Sequence, residues 1–331
     1  MTGDRRHFAS MDLLRGTAAF GVLMYHGLPR SPVAMPGGYL AVDLFFILSG
    51  FVIAHAYEAR LREGMPLRDF LIRRAIRLWP MLAVGAVIAM VLHGGHLGML
   101  VLMPQPAAPT FLFPANPPLW SLLFELFAYV AFALWAPRLR DRWLALVVLA
   151  AAIALATFTF VPGLPFTGQL KDFGSHWALV VPGLARIAFG FGMGVLLHRW
   201  HRHRAAPPQV TMLAWLLPLA LAGIFMAVPH HGGGWALVAI LLALPLIAWL
   251  AVCWECPSPR TAQLAGDKSY PLYCIHMPVI AWLGPEAAES ALPYGLLILA
   301  ALALDRLVDR PARRWLTGLI KQPQTRIGIS T

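Results

Sequence analysis

The first apolar stretch of the chain, residues 11–28, carries Arg15 near its start and His26 near its end. Eleven positions separate them, which in an α-helix is close to three full turns. Their side chains therefore share one helix face, about 16 Å apart along the axis. Arg15 also suits a snorkelling side chain that pairs with Asp12 at the membrane boundary. An ionisable residue inside a membrane span is a functional-site hypothesis by default, and His26 is its first candidate here.

Two carboxylates are predicted to reach a depth comparable to that of His26. Asp43 lies near the outer end of the second apolar stretch, where it could orient the imidazole or raise its basicity. Glu125 shares a helix face with Ser121, four residues before it, and is costly in the bilayer unless it is paired or lines a wet cavity. We therefore expect Asp43 or Glu125 to orient His26, and we take Arg186 as the candidate cation beside Glu125.

Arginines open the third apolar stretch. Arg73 and Arg77 are four residues apart and share one helix face at the boundary where Arg15 also lies. Arginine forks suit phosphate groups, so this pair predicts a site for an anionic ligand from the cytosol. Arg74 is interpreted instead as a cytoplasmic anchor of the span.

Further residues at membrane depth complete a polarised pattern. Ser49 and Gly50 interrupt the second stretch and allow another helix or a ligand to approach closely. His276 lies near the middle of the ninth stretch. The Pro-rich segment 94–118 is either an outer loop or the roof of a cavity. The pattern has arginines at one end and His, Asp, Glu and Ser further inside. A tunnel with such walls could admit an anionic donor from the arginine end and a neutral acceptor from the other.

The composition requires these residues to be positioned by membrane-spanning helices. Of the 331 residues, 59% are hydrophobic and 12% are charged, whereas soluble domains are about 25% charged. The formal net charge of +11 is concentrated in loops between spans, which favours cytoplasmic loops and excludes nucleic acid as the partner. The three cysteines, Cys253, Cys256 and Cys274, predict neither a disulfide framework nor a metal site.

The fold is predicted to be all-α, a polytopic membrane protein of about ten helices. Loops rich in arginine alternate with loops almost free of it, Arg30 and Lys171 being the exceptions, and this alternation places both termini in the cytoplasm. The terminal charges Arg5, Arg6 and Lys321 fall on that side. The predicted spans are residues 9–29, 37–58, 69–93, 118–137, 142–161, 177–200, 209–229, 234–256, 264–285 and 289–313.

These residues together resemble the membrane-bound acyltransferase 3 family, which acylates sugars, peptides and antibiotics with acyl-CoA. The resemblance covers nearly the whole chain in order, through motifs that are each modest and together specific. They are the Arg15–His26 spacing, FFILSGF at 45–51, the arginines Arg73 and Arg77, WSLLFE at 120–125 and GDKSYPLYCIH at 266–276. The family often has a Glu-x-Pro element after the last span, where this chain has Asp309-Arg310-Pro311, and we assign that aspartate no catalytic role.

The resemblance implies an enzyme that moves an acyl group, most simply acetyl, from cytosolic acyl-CoA to a hydroxyl of a glycan, glycolipid or related acceptor. It implies His26 as the catalyst, beside which we expect Asp43 or Glu125, and it implies that arginines, here Arg15, Arg73 and Arg77, bind the donor. Acyl-CoA is then a co-substrate, and no metal is expected. The remaining pocket candidates are Ser49, Trp120, Ser121, Arg186, Tyr270 and His276.

One integral-membrane domain over residues 1–331, without a fused extracytoplasmic domain, is expected in the cytoplasmic (inner) membrane of a bacterium. The alternative function is a transporter of acyl groups or of a polar solute, with the buried charges as a relay. The absence of internal repeats and of paired broken helices in the sequence weighs against transport.

Overall fold

The structure is a computed structural model that describes residues 8–27, 34–162, 170–204, 208–229, 233–287 and 290–320. Arg5, Arg6, Arg30 and Lys321 of the predicted loops and termini lie outside these residues. The described chain is helical almost throughout. Its α-helices are α1 (Ala9–Gly27), α2 (Ala41–Arg62), α3 (Leu67–His93), α4 (Leu119–Leu134), α5 (Asp141–Phe160), α6 (Val180–His203), α7 (Leu216–Ala227), α8 (Gly233–Val238), α9 (Leu244–Cys253), α10 (Pro259–Ala287), α11 (Leu292–Leu304) and α12 (Arg310–Ile320).

Short elements join these helices. One π-helical segment, Ala239–Ala243, links α8 to α9, and another, Asp305–Asp309, links α11 to α12. The strand β1 (Gln209–Val210) pairs in parallel with β2 (Trp254–Glu255), and each is two residues long. The predicted all-α class is therefore confirmed apart from this one pair.

Six helical stretches in the described part of the chain are long and apolar enough to cross a membrane. The helices α1 and α10 are not among them because charged and polar residues such as Asp12, Arg15 and Asp267 dilute their apolar content, and α7 and α11 are short. The protein is an integral membrane protein, while the count of about ten spans and their orientation stay predictions. The six stretches are Gly38–Arg62, Leu67–His93, Leu119–Arg138, Asp141–Phe160, Trp177–His203 and Gly233–Cys253.

Glycines allow a close contact between the helices α2 and α6. A Cβ atom added at Gly50 would collide with the carbonyl oxygen of Phe191, and one added at Gly194 would collide with that of Ile47. Small residues allow the two backbones to approach closely. In a membrane this packing contact drives helix association, because lipid tails supply no hydrophobic driving force. The close approach predicted for Gly50 is thus confirmed, and it places α2 and α6 side by side.

The helix α1 packs in the same way along the first half of α10. A Cβ atom at Gly16 would meet Ala265, and one at Gly266 would meet Asp12. The two helices therefore run side by side from their first turns. His26 and His276, ten or eleven residues further along, consequently arrive at one level.

Candidate active site

His26 occupies the last turn of α1 and lines a cavity between the helices. The ring of His276 from α10 lies against it, with 5.3 Å between the ring centroids, and the ring of Tyr25 lies edge-on at 4.7 Å. We call this space the histidine cavity. Its walls include Tyr39, Phe111, Pro118, Trp120 and Asp172. Because Phe111 and Pro118 belong to segment 94–118, that segment is part of the cavity wall.

The hydrogen bonds of His276 define its tautomer. Its Nδ1 lies 2.8 Å from the carbonyl oxygen of Tyr273 and 3.2 Å from that of Leu272, one turn back along α10. A carbonyl only accepts, so Nδ1 carries the proton and Nε2 keeps its lone pair. That Nε2 is fully buried and has no hydrogen-bond partner among the described residues. A second imidazole with a proton-accepting nitrogen therefore lies against the His26 ring.

Asp43 forms a buried ion pair with Arg186 of α6. Arg186 Nε donates to Asp43 Oδ1 at 2.7 Å and its Nη2 donates to Oδ2 at 2.6 Å, while both side chains are 1% exposed. Arg186 Nη2 also donates to the carbonyl oxygen of Tyr39 at 3.2 Å. Both oxygens of Asp43 are thus engaged by Arg186. The predicted pairing of Arg186 with Glu125 is wrong, and the partner that Arg186 has instead is Asp43.

Glu125 lies in a different cavity from His26. Its Oε1 accepts a hydrogen bond of 2.5 Å from Ser49 Oγ and another from the hydroxyl of Tyr129. That hydroxyl in turn accepts from Arg74 Nη2 at 2.9 Å, and the Arg74 guanidinium lies 4.7 Å from the centre of the Tyr129 ring. The carboxylate expected beside His26 is therefore connected through Tyr129 to Arg74 instead, because α4 presents its polar face to α2 and α3.

Three arginines line the cavity that contains Glu125. We call it the arginine cavity; Arg15 enters it from α1, and Arg74 and Arg77 from α3. Arg15 also makes the predicted pair with Asp12, at 3.7 Å from Nη1 to Oδ1. Two buried nitrogens, Arg74 Nε and Arg77 Nη1, have no hydrogen-bond partner in the described structure. They can therefore donate hydrogen bonds to an anion. The other predicted residues in its wall are Ser49, Ser121, Glu125 and Tyr270.

Arg73 is exposed and takes no part in the arginine cavity, contrary to the prediction. The face that α3 turns inward is set by Phe70 and Met81, which are both 0% exposed. Arg74 and Arg77 fall on the stripe between them at spacings of four, three and four residues, the pattern of one helix face. The sequence signal that identifies the inward arginines is this buried stripe rather than the spacing of the arginines alone.

Asp309, to which the sequence analysis assigned no catalytic role, lies beside Arg77 of the arginine cavity. Its carboxylate is 0% exposed and pairs with Arg313, and its Oδ2 lies 3.9 Å from Arg77 Nη1. The Tyr270 ring also lies near Arg77, with 5.6 Å from the guanidinium carbon to the ring centre. Arg77 therefore has both an acidic and an aromatic neighbour. The position of Asp309 in place of the family's Glu-x-Pro glutamate is the signal that could have found it.

Comparison with known proteins assigns the chain to a family. The family model described as an acyltransferase domain (acyltransferase 3) matches residues 8–304. The chain belongs to this acyltransferase family. Among curated relatives, the acyltransferase MdmB of Streptomyces mycarofaciens is 26% identical, over 84% of this chain and 82% of its own length. The exopolysaccharide production protein ExoZ of Rhizobium meliloti is 26% identical, over 88% of this chain and 95% of its own.

A further relative is similar over part of its length. The peptidoglycan O-acetyltransferase OatA of Listeria monocytogenes is 29% identical over 42% of this chain and 22% of its own length. No solved structure matches the chain significantly. These relatives support a membrane acyltransferase.

In this acyltransferase the two cavities adjoin. Val42 and Tyr273 line both the arginine cavity and the histidine cavity. The three arginines thus lie on one side of these two residues and His26 lies on the other. Of the predicted residues, Trp120 and Arg186 line the histidine cavity as well. In the described part of the chain no group of three His, Cys, Asp or Glu side chains could hold a metal ion.

Proposed function

We propose that the protein transfers an acyl group, most simply acetyl, from acyl-CoA on the cytosolic side to a hydroxyl of a glycan, glycolipid or related acceptor. The observation that carries this proposal is the pair of adjoining cavities, one lined by three arginines and the other by His26 with His276 beside it. A donor with an anionic end and a reactive thioester end fits such a pair. The names of two relatives, an exopolysaccharide production protein and a peptidoglycan O-acetyltransferase, support a glycan acceptor.

The arginine cavity receives the anionic end of the donor. Arg15, Arg74 and Arg77 present guanidinium groups from two helices, and two of their buried nitrogens have no hydrogen-bond partner in the described structure. Guanidinium forks bind phosphate oxygens in pairs, which orients the ligand as well as attracting it. Asp309 and Tyr270 hold Arg77 in position for this contact.

The histidine cavity carries out the transfer. His26 removes the proton of the acceptor hydroxyl as that oxygen attacks the thioester carbonyl carbon, and the C–S bond breaks as the tetrahedral intermediate collapses. His26 then returns the proton to the leaving thiolate, so the imidazole ends neutral. A general base of this kind contributes about 10²–10⁴-fold to the rate. The alternative in which His26 first accepts the acyl group uses the same residue.

His276 takes the positioning role that the sequence assigned to Asp43 or Glu125. Its ring contacts the His26 ring, and its Nδ1 is tied to the backbone of α10, so the ring cannot turn freely. A second imidazole held in this way limits the orientations of His26. Asp43 then acts through Arg186, as part of the wall behind Trp120, because the Arg186 guanidinium lies 5.6 Å from the centre of the Trp120 ring.

The test uses full-length protein in lipid nanodiscs, radiolabelled acetyl-CoA and a panel of hydroxylated glycans. We expect His26→Ala to reduce thioester turnover and acyl transfer at least about 100-fold, the lower limit for loss of a general base. The control is His203→Ala, an exposed histidine at the end of α6, which should leave both rates unchanged. Unfolding temperatures of both variants separate loss of catalysis from loss of fold.

Two results contradict this proposal in different ways. Normal turnover by His26→Ala shows that another group is the base. Thioester cleavage by neither protein, together with uptake of a labelled solute into proteoliposomes, favours the alternative function of transport. Adjoining cavities with charged walls could also carry a transported solute. Solute uptake is therefore measured alongside thioester cleavage.

The domain organisation and location are part of the proposal. Residues 1–331 act as one integral-membrane domain in the bacterial cytoplasmic membrane, with the lipid bilayer, acyl-CoA and the acceptor as partners. The acceptor reaches the histidine cavity from the side of the 94–118 segment, opposite to the donor.

A further inference from the structure

The boundary between the two cavities is formed by Val42 of α2 and Tyr273 of α10, which line both of them. If the phosphates of the donor bind in the arginine cavity and the thioester reacts at His26, the acyl group must cross between these two side chains. Any selection of the acyl group at this boundary therefore rests on the proposed function.

Tyr273 is held rigidly in place at this boundary. Its hydroxyl lies 2.7 Å from Ser121 Oγ and donates to the carbonyl oxygen of Pro118 at 3.0 Å, and Ser121 Oγ bonds the same carbonyl at 3.0 Å. The ring also packs edge-on against Phe45, with 5.9 Å between centroids. A ring fixed at both its hydroxyl and its edge does not swing aside to widen the passage.

Val42 is equally constrained. It is 8% exposed and is followed directly by Asp43, whose ion pair with Arg186 ties this turn of α2 to α6. A β-branched valine in a helix has one strongly preferred rotamer, so its two methyl groups keep their positions. The passage therefore lies between two immobile side chains and has a fixed width.

We propose that Val42 and Tyr273 form a neck that selects the acyl group by its width rather than by its length. An unbranched acyl chain is no wider than the cysteamine segment of the donor that follows it, so any donor whose thioester reaches His26 carries such a chain through. A branch next to the carbonyl widens the leading end and meets the methyl groups of Val42. The favoured substrates are accordingly unbranched acyl-CoA thioesters, and branched ones are excluded.

The experiment compares n-butyryl-CoA with isobutyryl-CoA, which have the same atoms and differ only in branching. Full-length protein in nanodiscs is given each donor with one accepted glycan, and kcat/KM is measured from the released thiol and the acylated product. We expect wild-type protein to favour n-butyryl at least about tenfold, the discrimination that one misplaced methyl group gives in an apolar pocket. We expect Val42→Ala to bring the ratio close to one by accelerating isobutyryl transfer.

Matched controls come from valines that line one cavity only. Val52 lies in the wall of the arginine cavity and Val22 in that of the histidine cavity. Val52→Ala and Val22→Ala should keep the wild-type ratio. Val42→Ile narrows the neck and should raise the preference for n-butyryl, which covers the case in which Val42→Ala does not fold.

The outcomes separate the neck from the proposed function. A wild-type ratio near one, or an equal change in the Val22 or Val52 variant, overturns the neck while acyl transfer stands. A wild-type preference for acetyl that falls steadily through propionyl and n-butyryl shows selection by length and also overturns it. Failure to transfer any acyl group refutes the proposed function and the neck with it.

Discussion

Arg73 and Arg74 are adjacent in sequence and chemically identical, yet the structure gives them different environments. Arg74 is directed into the arginine cavity and donates to the hydroxyl of Tyr129, whereas Arg73 is exposed. The difference arises because α3 buries Phe70 and Met81, and only Arg74 and Arg77 share their face. Because Arg73 and Arg74 carry the same charge and only Arg74 lines the arginine cavity, substituting each in turn tests where the donor binds.

We expect Arg74→Gln to raise KM for acetyl-CoA about 10- to 100-fold, since a hydrogen bond to a charged group contributes about 1.5–3 kcal/mol. Arg73→Gln should change KM less than about twofold, as expected of an exposed charge screened by water and salt. Steady-state kinetics with varied acetyl-CoA measures both, with kcat reported separately. A larger effect for Arg73→Gln would place the donor site on the exposed face of α3 and contradict the assignment of the donor to the arginine cavity.

Residues within one helix were predictable, and contacts between helices were not. Ser121 and Glu125 both line the arginine cavity, as their spacing of four residues predicted. Arg15 and His26 line the two adjoining cavities. The partner of Asp43 is Arg186, 143 residues later, and that of Glu125 is Ser49, 76 residues earlier. Nothing in the spacing along a single helix determines which of two carboxylates an arginine meets. That choice depends on how α2, α4 and α6 pack.

At the scale of elements, the contact between α2 and α6 supports both cavities. Asp43, Ser49 and Gly50 lie within two turns and a half of α2, and Gly50 rests directly on the backbone of α6. The same interface brings Arg186 to Asp43. A displacement of α6 by the width of one methyl group would therefore disturb the wall of the histidine cavity without touching His26.

We expect Gly194→Ala to lower stability by about 1–3 kcal/mol, because its new Cβ meets the carbonyl oxygen of Ile47 and a helix backbone cannot rotate away as a side chain can. Gly223→Ala in α7 is the matched control, since a Cβ there meets nothing within 4 Å. Thermal unfolding in detergent reports the difference as a lower midpoint for Gly194→Ala alone. Equal midpoints for the two variants would show that α2 and α6 are further apart than described.

The helices themselves were predicted well where an uninterrupted apolar stretch was long. The predicted span 142–161 corresponds to Asp141–Phe160, and 69–93 to Leu67–His93. The predicted span 209–229 was less exact, since α7 begins only at Leu216. The predicted spans 234–256 and 289–313 each contain an unpredicted π-helical segment, between α8 and α9 and between α11 and α12. A π-helical turn shifts the helix face without changing the apolar composition, so composition alone does not reveal it.

The whole molecule is polarised in charge along the direction of the proposed tunnel. Buried Glu58 near the end of α2 accepts from Arg62 and from Arg199 at the end of α6, and Arg199 also bonds the backbone that joins α4 to α5. Basic residues therefore gather at the end of the bundle where α1 and α3 begin and where the arginine cavity lies. The histidine cavity is bordered instead by segment 94–118 and by Asp172. Cytoplasmic loops of membrane proteins are enriched in Lys and Arg, so the arginine end is expected to face the cytosol.

This orientation can be tested by single-cysteine labelling in bacterial spheroplasts, after Cys253, Cys256 and Cys274 are replaced by alanine in a variant that retains acyl transfer. Glu63→Cys lies in the exposed turn between α2 and α3, and Thr110→Cys is exposed in segment 94–118. A membrane-impermeant maleimide should label Thr110→Cys in intact spheroplasts and Glu63→Cys only after permeabilisation. Labelling in the reverse order would direct the three arginines to the outside, where acyl-CoA is absent, and would require a different anion as the donor. Because acyl-CoA is made in the cytosol, the same labelling result that fixes the topology also decides whether the arginine cavity can be the entrance for it.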